Sequence, residues 1–443
     1  MSEKPCTTYH FPSAAHASEL IGHLLNRAAA GGEDTAKTEA AVRAILGDVK
    51  ERGLDAVIDY TRKFDCPDFT PGMFAVHPQT VKEAASAIPG SDRMIIREAA
   101  TRIRKFHEAQ KSKSWFMSDT YGSILGQAVT PLDRVGLYVP GGKGGETPLI
   151  SSLLMNAVPA QVAGVNEIAV VSPPGADGTV SPYILAAAHE LGISEIYACG
   201  SAWAVAALAY GADSLVPVDL IAGPGNIWVT TAKKLLLGTV GIDMLAGPSE
   251  ICVIADETAR PAWVAADMLS QAEHDPLACS VCITTSPEFA GAVQAELEAQ
   301  LRTLPREAVA RASLASWGAV IVTPDLATAA AIANKIAPEH LELCVAEPWA
   351  LAPFIRHAGA VFIGHYAAEP VGDYFAGPNH VLPTMGTARF SSALSVETFC
   401  KKSSMISVND SFTRAHAASI ARLARLEGLE AHARSVEARL DGK

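Results

Sequence analysis

The stretch VGLYVPGGKGGETPLISSLLMNAV, residues 135–158, decides the fold. It begins with branched and aromatic residues, continues through a glycine-rich turn and ends in a long apolar segment. This order predicts a buried strand at 135–139, a tight turn and a helix at 150–162. Because parallel strands are joined by crossover helices, the unit indicates a parallel α/β sheet.

The same alternation of short β-branched runs and alanine-rich helical segments continues to about residue 390. The further predicted strands are 167–172, 196–199, 220–222, 251–255, 280–284, 320–322, 341–345 and 361–364. We therefore predict two Rossmann-like, doubly wound parallel-sheet units, one over 131–246 and one over 247–390. Residues 1–130 are expected to be mainly helical and to pack in part with the second unit, and 391–443 to form a helical arm.

Composition excludes several classes of protein. The net charge is −12 with 49% hydrophobic residues, and no basic block is present, so a nucleic-acid partner is not expected. No apolar run approaches the ~20 residues of a membrane span, and no secretory signal is recognisable. The eight cysteines are scattered, and the pair Cys279 and Cys282 lies in a predicted strand, where residues three apart face opposite sides. We expect reduced cysteines and a cytoplasmic protein.

Two glycine-rich turns, 141–145 and 223–226, each follow a predicted strand and precede a helix. Helix N-termini with close backbone approach suit a phosphate group. Neither turn matches GxGxxG or a P-loop, however, and the alternative is a tight turn that needs glycine for its backbone angles.

Gln271 and His274 lie three residues apart at the end of a predicted helix and therefore project from one face. Imidazole nitrogen and amide oxygen are acceptable ligands for Zn²⁺. Asp275-Pro276 ends the helix directly afterwards, so the pair lies at its rim. The alternative is a solvated histidine at a helix end.

Glu339 and His340 are adjacent, between a predicted helix and a predicted strand, and offer two proton acceptors with different tasks. Asp373 and the pair Asn379-His380 lie in a loop rich in glycine and proline, where binding groups concentrate. The alternative for this loop is local capping by aspartate and asparagine.

Glu427 and His432 are five residues apart in the arm. On one unbroken helix they would point roughly 140° apart, at ~100° per residue. A break at Gly428 would allow them to come together, and otherwise they belong to a solvated face.

Together these segments resemble histidinol dehydrogenase, and they occur in the order typical of that family from about residue 134 to the C-terminus. The matching segments are GLYVPGG (136–142), IAGPGN (221–226), IDMLAGPSE (242–250), LSQAEH (269–274), APEHLE (337–342) and GDYFAGPNHVLPT (372–384). The resemblance implies a homodimeric enzyme that uses zinc and NAD.

The resemblance also implies a role for individual residues. The implied zinc ligands are Gln271, His274, Asp373 and His432. The implied catalytic pair is Glu339 and His340. The implied substrate contacts are Ser249, Gln271, His274, His340, Asp373, Glu427 and His432. The implied cofactor contacts are Tyr138 and Asn226, which places the cofactor in the unit over 131–246 and the metal and catalysis in the unit over 247–390.

The implied reaction oxidises histidinol through its aldehyde to histidine, with two NAD⁺ reduced and water consumed. His340 would accept the alcohol proton, and Glu339 would activate water for attack on the aldehyde. Zinc would orient the substrate through its amino and imidazole nitrogens. The arm of each subunit, with Glu427 and His432, would complete the site of its partner.

Two features depart from the family pattern, and both lie on the cofactor side. The turn over 141–148 is about three residues longer than the commonest form of the family, and it contains Lys143 and Glu146. Trp203 stands where the family usually has a glutamine that contacts NAD. We predict Trp203 as a cofactor residue that stacks on a cofactor ring, and the alternative is that it packs a helix.

Two other functions compete with histidinol oxidation. A related zinc- and NAD-dependent dehydrogenase would act on another small hydroxylated substrate, such as a sulfonated diol. Glu427 favours histidinol, because a carboxylate suits a cationic amino alcohol and repels a sulfonate. A non-catalytic binding protein on the same scaffold is the third hypothesis, and the complete set of predicted catalytic and ligand residues argues against it.

Overall fold

The computed structural model describes residues 4–27, 35–141 and 148–440. Most of the longer turn, residues 142–147 with Lys143 and Glu146, lies outside the described residues. Among the helices described, none is long and apolar enough to cross a membrane.

Helices and strands alternate along most of the described chain. The strands are β1 (Thr7–His10), β2 (Trp115–Ser118), β3 (Ile124–Pro131), β4 (Arg134–Tyr138), β5 (Glu167–Ser172), β6 (Ile196–Ala198), β7 (Leu220–Ala222), β8 (Gly241–Ile242), β9 (Glu250–Ala255), β10 (Cys279–Thr284), β11 (Ala319–Val322), β12 (His340–Cys344), β13 (Ala360–Ile363) and β14 (Cys400–Ser407). The helices are α1 (Ser18–Leu25), α2 (Thr35–Arg52), α3 (Leu54–Phe64), α4 (Pro78–Ala87), α5 (Gly90–Glu108), α6 (Ile150–Ala163), α7 (Pro182–Glu190), α8 (Ser201–Tyr210), α9 (Ile227–Leu236), α10 (Pro261–Ala272), α11 (Pro287–Leu301), α12 (Glu307–Trp317), α13 (Leu326–Ile336), α14 (Pro348–Leu351), α15 (Glu369–Val371), α16 (Asp410–Leu426) and α17 (Glu430–Glu437).

The first sheet is parallel, with the order β6-β5-β4-β7-β8. The strand order reverses between β4 and β7, where Val135 pairs with Leu220. In open α/β sheets, ligands bind at the carboxyl ends of the strands at such a reversal. The sheet therefore offers a binding crevice after Tyr138 and Ala222.

The second sheet is also parallel, with the order β1-β11-β10-β9-β12-β13. Its five strands from β9 to β13 repeat the order of the first sheet, and the N-terminal strand β1 adds one edge. Helices α10 to α12 contribute buried apolar residues to one face, and α1 and α13 contribute them to the other. Two doubly wound α/β units, as predicted from the sequence, are thereby confirmed.

A third, antiparallel sheet of β14, β3 and β2 was not predicted. Its side chains are largely exposed, including Phe116 at 58% and Ile406 at 75%. Because β14 has the sequence CKKSSMIS, it shows no run of apolar residues that would mark a strand. Residues 1–130 and 391–443 thus each contain strands besides their helices.

The helical regions are more interrupted than the apolar spacing predicts. Gly53, with φ 56°, separates α2 from α3, and Pro89 separates α4 from α5. Gly428, with φ 77°, separates α16 from α17 in the arm. Helices α2 to α5 contribute to the core of the first sheet, whereas β1 and α1 belong to the second.

Candidate active site

A cavity of about 480 Å³ lies at the reversal of strand order in the first sheet. Its walls come from the ends of β4 and β7, the start of α8 and the end of α3. The lining residues are Ile45, Phe64, Asp65, Tyr138, Pro140, Gly141, Pro173, Ser201, Trp203, Gly225, Asn226 and Trp228. All three residues predicted to contact the cofactor, Tyr138, Trp203 and Asn226, contribute to this wall.

The turn after β7 is fixed by a buried ion pair. Gly223 has φ 121°, and a Cβ atom there would lie 2.1 Å from the carbonyl oxygen of Tyr138. The Gly223 N–H donates to Asp243 Oδ2 at 2.8 Å, and its carbonyl accepts from Lys233 Nζ at 2.9 Å. Lys233 and Asp243 also pair directly. The glycine is thus required by the backbone, in agreement with the tight-turn alternative.

Tyr138 and Asn226 hold the two helix N-termini at the cavity. The Tyr138 hydroxyl accepts a hydrogen bond from the N–H of Ser201 at 3.2 Å, and burial raises the pKa of this tyrosine. Asn226 Oδ1 accepts from the N–H groups of Trp228 and Val229 and so caps α9. Its amide nitrogen has no partner among the described residues. A ligand in the cavity would therefore meet one free amide donor here.

Trp203 is buried at 4% exposure within a group of aromatic rings. Its ring centroid lies 5.9 Å from that of Tyr60 and 5.5 Å from that of Phe64, and both pairs are stacked. The indole nitrogen donates to Thr61 Oγ1 at 3.1 Å. These contacts support the alternative in which Trp203 packs a helix. A contact with the cofactor stays a prediction.

A second polar cluster lies in the second sheet, at the amino ends of β9 and β12. Glu250 is the first residue of β9, and His340 is the first residue of β12, directly after Glu339. All three are buried, at 2%, 3% and 8% exposure respectively. Ligand sites of parallel sheets usually lie at the carboxyl ends of the strands, as the cavity of the first unit does. The polar cluster of the second unit lies at the opposite, amino ends.

Glu250 fixes both members of the predicted catalytic pair. Its backbone N–H donates to Glu339 Oε2 at 2.9 Å, and its Oε2 accepts from the Glu339 N–H at 3.2 Å. Its carbonyl oxygen lies 2.9 Å from His340 Nδ1. Because a carbonyl only accepts, Nδ1 must carry a hydrogen, so a neutral His340 keeps its lone pair on Nε2.

The Glu250 carboxylate is in turn held by a buried arginine. Arg27 is 1% exposed and donates to Glu250 Oε1 at 2.5 Å. The other acceptors of its guanidinium are the carbonyl oxygens of Leu24, Leu277 and Pro248. Glu250 Oε1 also accepts from the N–H of Met385 at 2.8 Å. The charge that orients the cluster is therefore fully paired.

His340 Nε2 points toward a group of carboxylates. It lies 3.5 Å from Asp373 Oδ1, and it is a buried atom without a hydrogen-bond partner. His340, Glu369 and Asp373 each offer one ligand atom within 4.8 Å of the others. Asp373 belongs to a π-helical turn, Gly372–Ala376, which is a backbone form often found at functional sites.

Gln271 is 1% exposed and faces the same group. In the orientation that satisfies its amide, the oxygen accepts from the Glu250 N–H at 3.1 Å and the nitrogen donates to Glu369 Oε1 at 3.2 Å. The opposite orientation places the amide oxygen against the Glu369 carboxylate. Two acceptors in contact are favourable only with a cation between them.

The charges in this cluster are strongly coupled. Burial raises the pKa of Glu339 to about 8 and that of Glu369 to about 7. Burial opposes a charge on His340, but the carboxylates of Glu339 and Asp373 outweigh it and raise its pKa to about 10. The cluster therefore crowds together carboxyl groups whose ionised forms are disfavoured by burial. One imidazole nitrogen, carboxylate oxygens and an amide oxygen form a donor set that suits Zn²⁺.

His274 and Ser249 lie beside this cluster. His274 follows α10 and is exposed, and it is near enough to Asp373 and His340 for their charges to influence it. Ser249 is half-buried and directly precedes β9. The structure thus brings together residues from four separate places in the sequence: Ser249, Gln271 with His274, Glu339 with His340, and Asp373.

Glu427 and His432 lie apart from the cluster. Both are exposed, on either side of the break at Gly428. Among the described residues, the two arm helices α16 and α17 pack mainly on each other. A place for these two residues in another subunit's site stays a prediction.

Sequence reasoning missed three residues of these sites. Glu369 and Arg27 lie outside all the motifs, and nothing in the sequence distinguishes them from surface charges. Glu250 ends the segment IDMLAGPSE but was not singled out. A charged residue at the start of a strand that is otherwise apolar, as in EICVIA, could have marked it.

Comparison with known proteins identifies the family of the chain. A family model described as histidinol dehydrogenase matches residues 29–440. A protein of Nitratidesulfovibrio vulgaris named histidinol dehydrogenase is 65% identical over 90% of this chain and 92% of its own length. One of Oleidesulfovibrio alaskensis, of the same name, is 60% identical over 98% of this chain and 100% of its own. The crystal structure of histidinol dehydrogenase from Elizabethkingia anophelis is similar with a TM-score of 0.91, at 34% identity and 99% coverage of both chains.

Proposed function

The chain belongs to the histidinol dehydrogenase family, and on that premise we propose that it oxidises L-histidinol through L-histidinal to L-histidine with two NAD⁺. It is an NAD-dependent oxidoreductase of histidine biosynthesis that acts through an aldehyde. The sulfonated-diol alternative is not favoured, because the similar proteins at 60–65% identity are named histidinol dehydrogenase.

The observation that most directly supports this function is the orientation of His340. The neighbouring carboxylates favour a charged imidazole, so His340 acts as a base only in its neutral form. In that form Nδ1–H donates to the Glu250 carbonyl at 2.9 Å and Nε2 is the acceptor. Nε2 is buried and has no partner, so a substrate hydroxyl is the group it lacks. In the first step, the substrate C–H hydride passes to NAD⁺ while His340 Nε2 accepts the hydroxyl proton.

Glu339 serves the second step. Its carboxylate is oriented by the Glu250 N–H at 2.9 Å and accepts a proton from water as the water oxygen adds to the aldehyde. His340 returns the proton it took in the first step to the carbonyl oxygen, which completes the hydrate. The hydrate then loses its hydride to a second NAD⁺ while His340 again accepts a hydroxyl proton. His340 thus acts in both oxidations, and Glu339 acts in the hydration that precedes the second.

Zinc is proposed at the polar cluster, held by Gln271, His274, Asp373 and the partner subunit's His432. When bound, the metal supplies a positive template that orients the substrate nitrogens. The carboxylates of Glu369 and Asp373, which offer ligand atoms within 4.8 Å of each other, support this proposal. NAD is proposed for the cavity lined by Tyr138, Trp203 and Asn226, at the strand reversal of the first sheet.

Steady-state kinetics with histidinol and with histidinal separate the two steps. We expect His340→Ala to abolish most of the oxidation of histidinol, by roughly 10²–10⁴-fold. We expect Glu339→Ala to spare the first hydride transfer more than the second. Equal losses on both substrates for both variants would contradict this division. Chelation should inactivate the enzyme, Zn²⁺ should restore it, and two NADH should form per histidinol.

A homodimer is proposed in which the arm completes the partner's site. The arm exposes an apolar stripe, with Leu423 at 61% and Leu426 at 64%, which a second subunit would cover. Coexpression of His340→Ala with His432→Ala tests this arrangement. Each variant alone should be inactive, whereas mixed dimers should regain one working site, built from the intact pocket of one chain and the intact arm of the other. An inactive mixture would place His432 in its own chain's site.

A cytoplasmic location is also proposed. It is supported by the free state of every cysteine that the structure describes.

A further inference from the structure

One polar group in the cavity of the first sheet has no partner. Asp65 follows the last residue of α3 and lines the cavity beside Phe64. Its Oδ2 is buried and accepts no hydrogen bond among the described residues. Burial raises the pKa of this carboxyl to about 6.

The other polar groups of the cavity wall form no hydrogen bond with Asp65 Oδ2 among the described residues. The Tyr138 hydroxyl accepts from Ser201, and Asn226 Oδ1 caps α9. Much of the remaining wall is aromatic or proline, so it offers Asp65 little hydrogen-bond compensation. An ionised carboxylate in such a place is unfavourable unless a ligand brings hydrogen-bond donors to it.

A carboxylate only accepts hydrogen bonds, and the ribose of a nucleotide presents two hydroxyl donors side by side. The flat side chain of Phe64, 57% exposed, directly precedes Asp65 and suits the adenine ring to which that ribose is attached. Two glycines of the cavity wall, Gly141 and Gly225, suit the diphosphate, because they permit close backbone approach. A 2′-phosphate at the same ribose would meet Asp65 as a like charge.

We infer that Asp65 selects NAD over NADP by accepting a hydrogen bond from the 2′-hydroxyl of the adenosine ribose. This inference rests on the proposed function, in which NAD occupies this cavity. Asp65 is then a specificity residue that contacts the cofactor and takes no part in proton transfer.

The test compares NAD, NADP and an NAD whose adenosine ribose lacks the 2′-hydroxyl, in histidinol oxidation by the zinc-loaded enzyme. For the wild type, we expect the 2′-deoxy cofactor to lose roughly 10–100-fold in kcat/KM, as when a hydrogen bond to a charged group is removed. Asp65→Asn should lose a similar factor with NAD, gain activity with NADP, and show little further loss with the 2′-deoxy cofactor. Asp65→Ser should shift the preference in the same direction.

The exposed neighbour Asp68 provides the matched control, since Asp68→Asn removes the same charge outside the cavity and should retain the wild-type preference. Titration of the wild type with ADP-ribose and with its 2′-phosphate needs no variant and should favour the unphosphorylated ligand by a similar factor. An unchanged ratio of NAD to NADP activity in both Asp65 variants would overturn the inference. A wild type that oxidises histidinol with neither cofactor would instead refute the proposed function.

Discussion

Replacement of Arg27 by methionine tests whether the buried ion pair between Arg27 and Glu250 stabilises the polar cluster around Glu339 and His340. The substitution keeps an apolar chain of similar length but removes four hydrogen bonds, one of them to the Glu250 carboxylate at 2.5 Å. Loss of one partner of a buried pair typically costs 3–5 kcal/mol. Because the N–H groups of Met385 and Glu339 still donate to Glu250, we expect the lower end, about 3 kcal/mol.

Hydrogen exchange followed by mass spectrometry measures this loss locally. At 1.4 kcal/mol per tenfold, about 3 kcal/mol corresponds to exchange about a hundredfold faster in peptides that contain β9 and β12. Arg414→Met, which breaks an exposed pair with Asp410, should leave these peptides unchanged. The double variant Arg27→Met/Glu250→Gln should be better protected than Arg27→Met alone, since it removes the unpaired charge. If the peptides that contain β9 and β12 exchanged at the wild-type rate in Arg27→Met, the stabilising role assigned to the Arg27–Glu250 pair would be refuted.

Two substitutions test the cavity of the first sheet. Trp203→Gln installs the residue usual in the family. It should lower the free energy of unfolding by about 3–5 kcal/mol, as large-to-small core changes do, and leave the KM for NAD unchanged. Unchanged stability in urea together with a raised KM for NAD would instead favour stacking of Trp203 on the cofactor. Gly223→Ala should raise the KM for NAD without loss of bound zinc, because its Cβ would lie 2.1 Å from the Tyr138 carbonyl oxygen. Cofactor titration and metal analysis of the Gly223→Ala variant test this prediction. A wild-type KM for NAD in this variant would show that the turn can shift without weakening cofactor binding.

The strands that the sequence predicts well are those buried on both faces. A strand such as β5, EIAVVS, shows a nearly continuous apolar run, because helices cover both sides of a parallel sheet. The exposed strand β14 shows no such run, and its pairing with β3 depends on residues more than 250 positions away. The break at Gly53 is not predictable from the sequence for a different reason. A single glycine within an apolar helical pattern is tolerated often enough that it does not predict a left-handed residue.

Site residues could be predicted from the sequence where they belong to the series of motifs that resembles a known family, because this resemblance does not require knowledge of their geometry. Gln271 and His274 alone indicate little, and only the distant Asp373 and His340 give them a context. Glu250 could not be assigned in this way, because its role depends on backbone atoms. Its N–H and carbonyl orient Glu339 and His340, and these groups are common to every residue. Similarly, Asp65 is distinguished only by the absence of a partner, which becomes visible once the chain is folded.

A short segment joins the unit with the proposed cofactor cavity to the unit with the proposed catalytic residues. The cavity lies at the carboxyl ends of the first sheet, whereas Glu250 and His340 lie at the amino ends of the second. Strand β8 leaves the first sheet at Ile242 and β9 begins at Glu250, so the chain can span at most about 29 Å between them. Asp243, at one end of this segment, fixes the turn that forms the cavity wall. Glu250, at the other end, fixes the proton acceptors. Because one short segment carries both anchors, the carboxyl end of β8 in the first sheet and the amino end of β9 in the second lie within about 29 Å of each other.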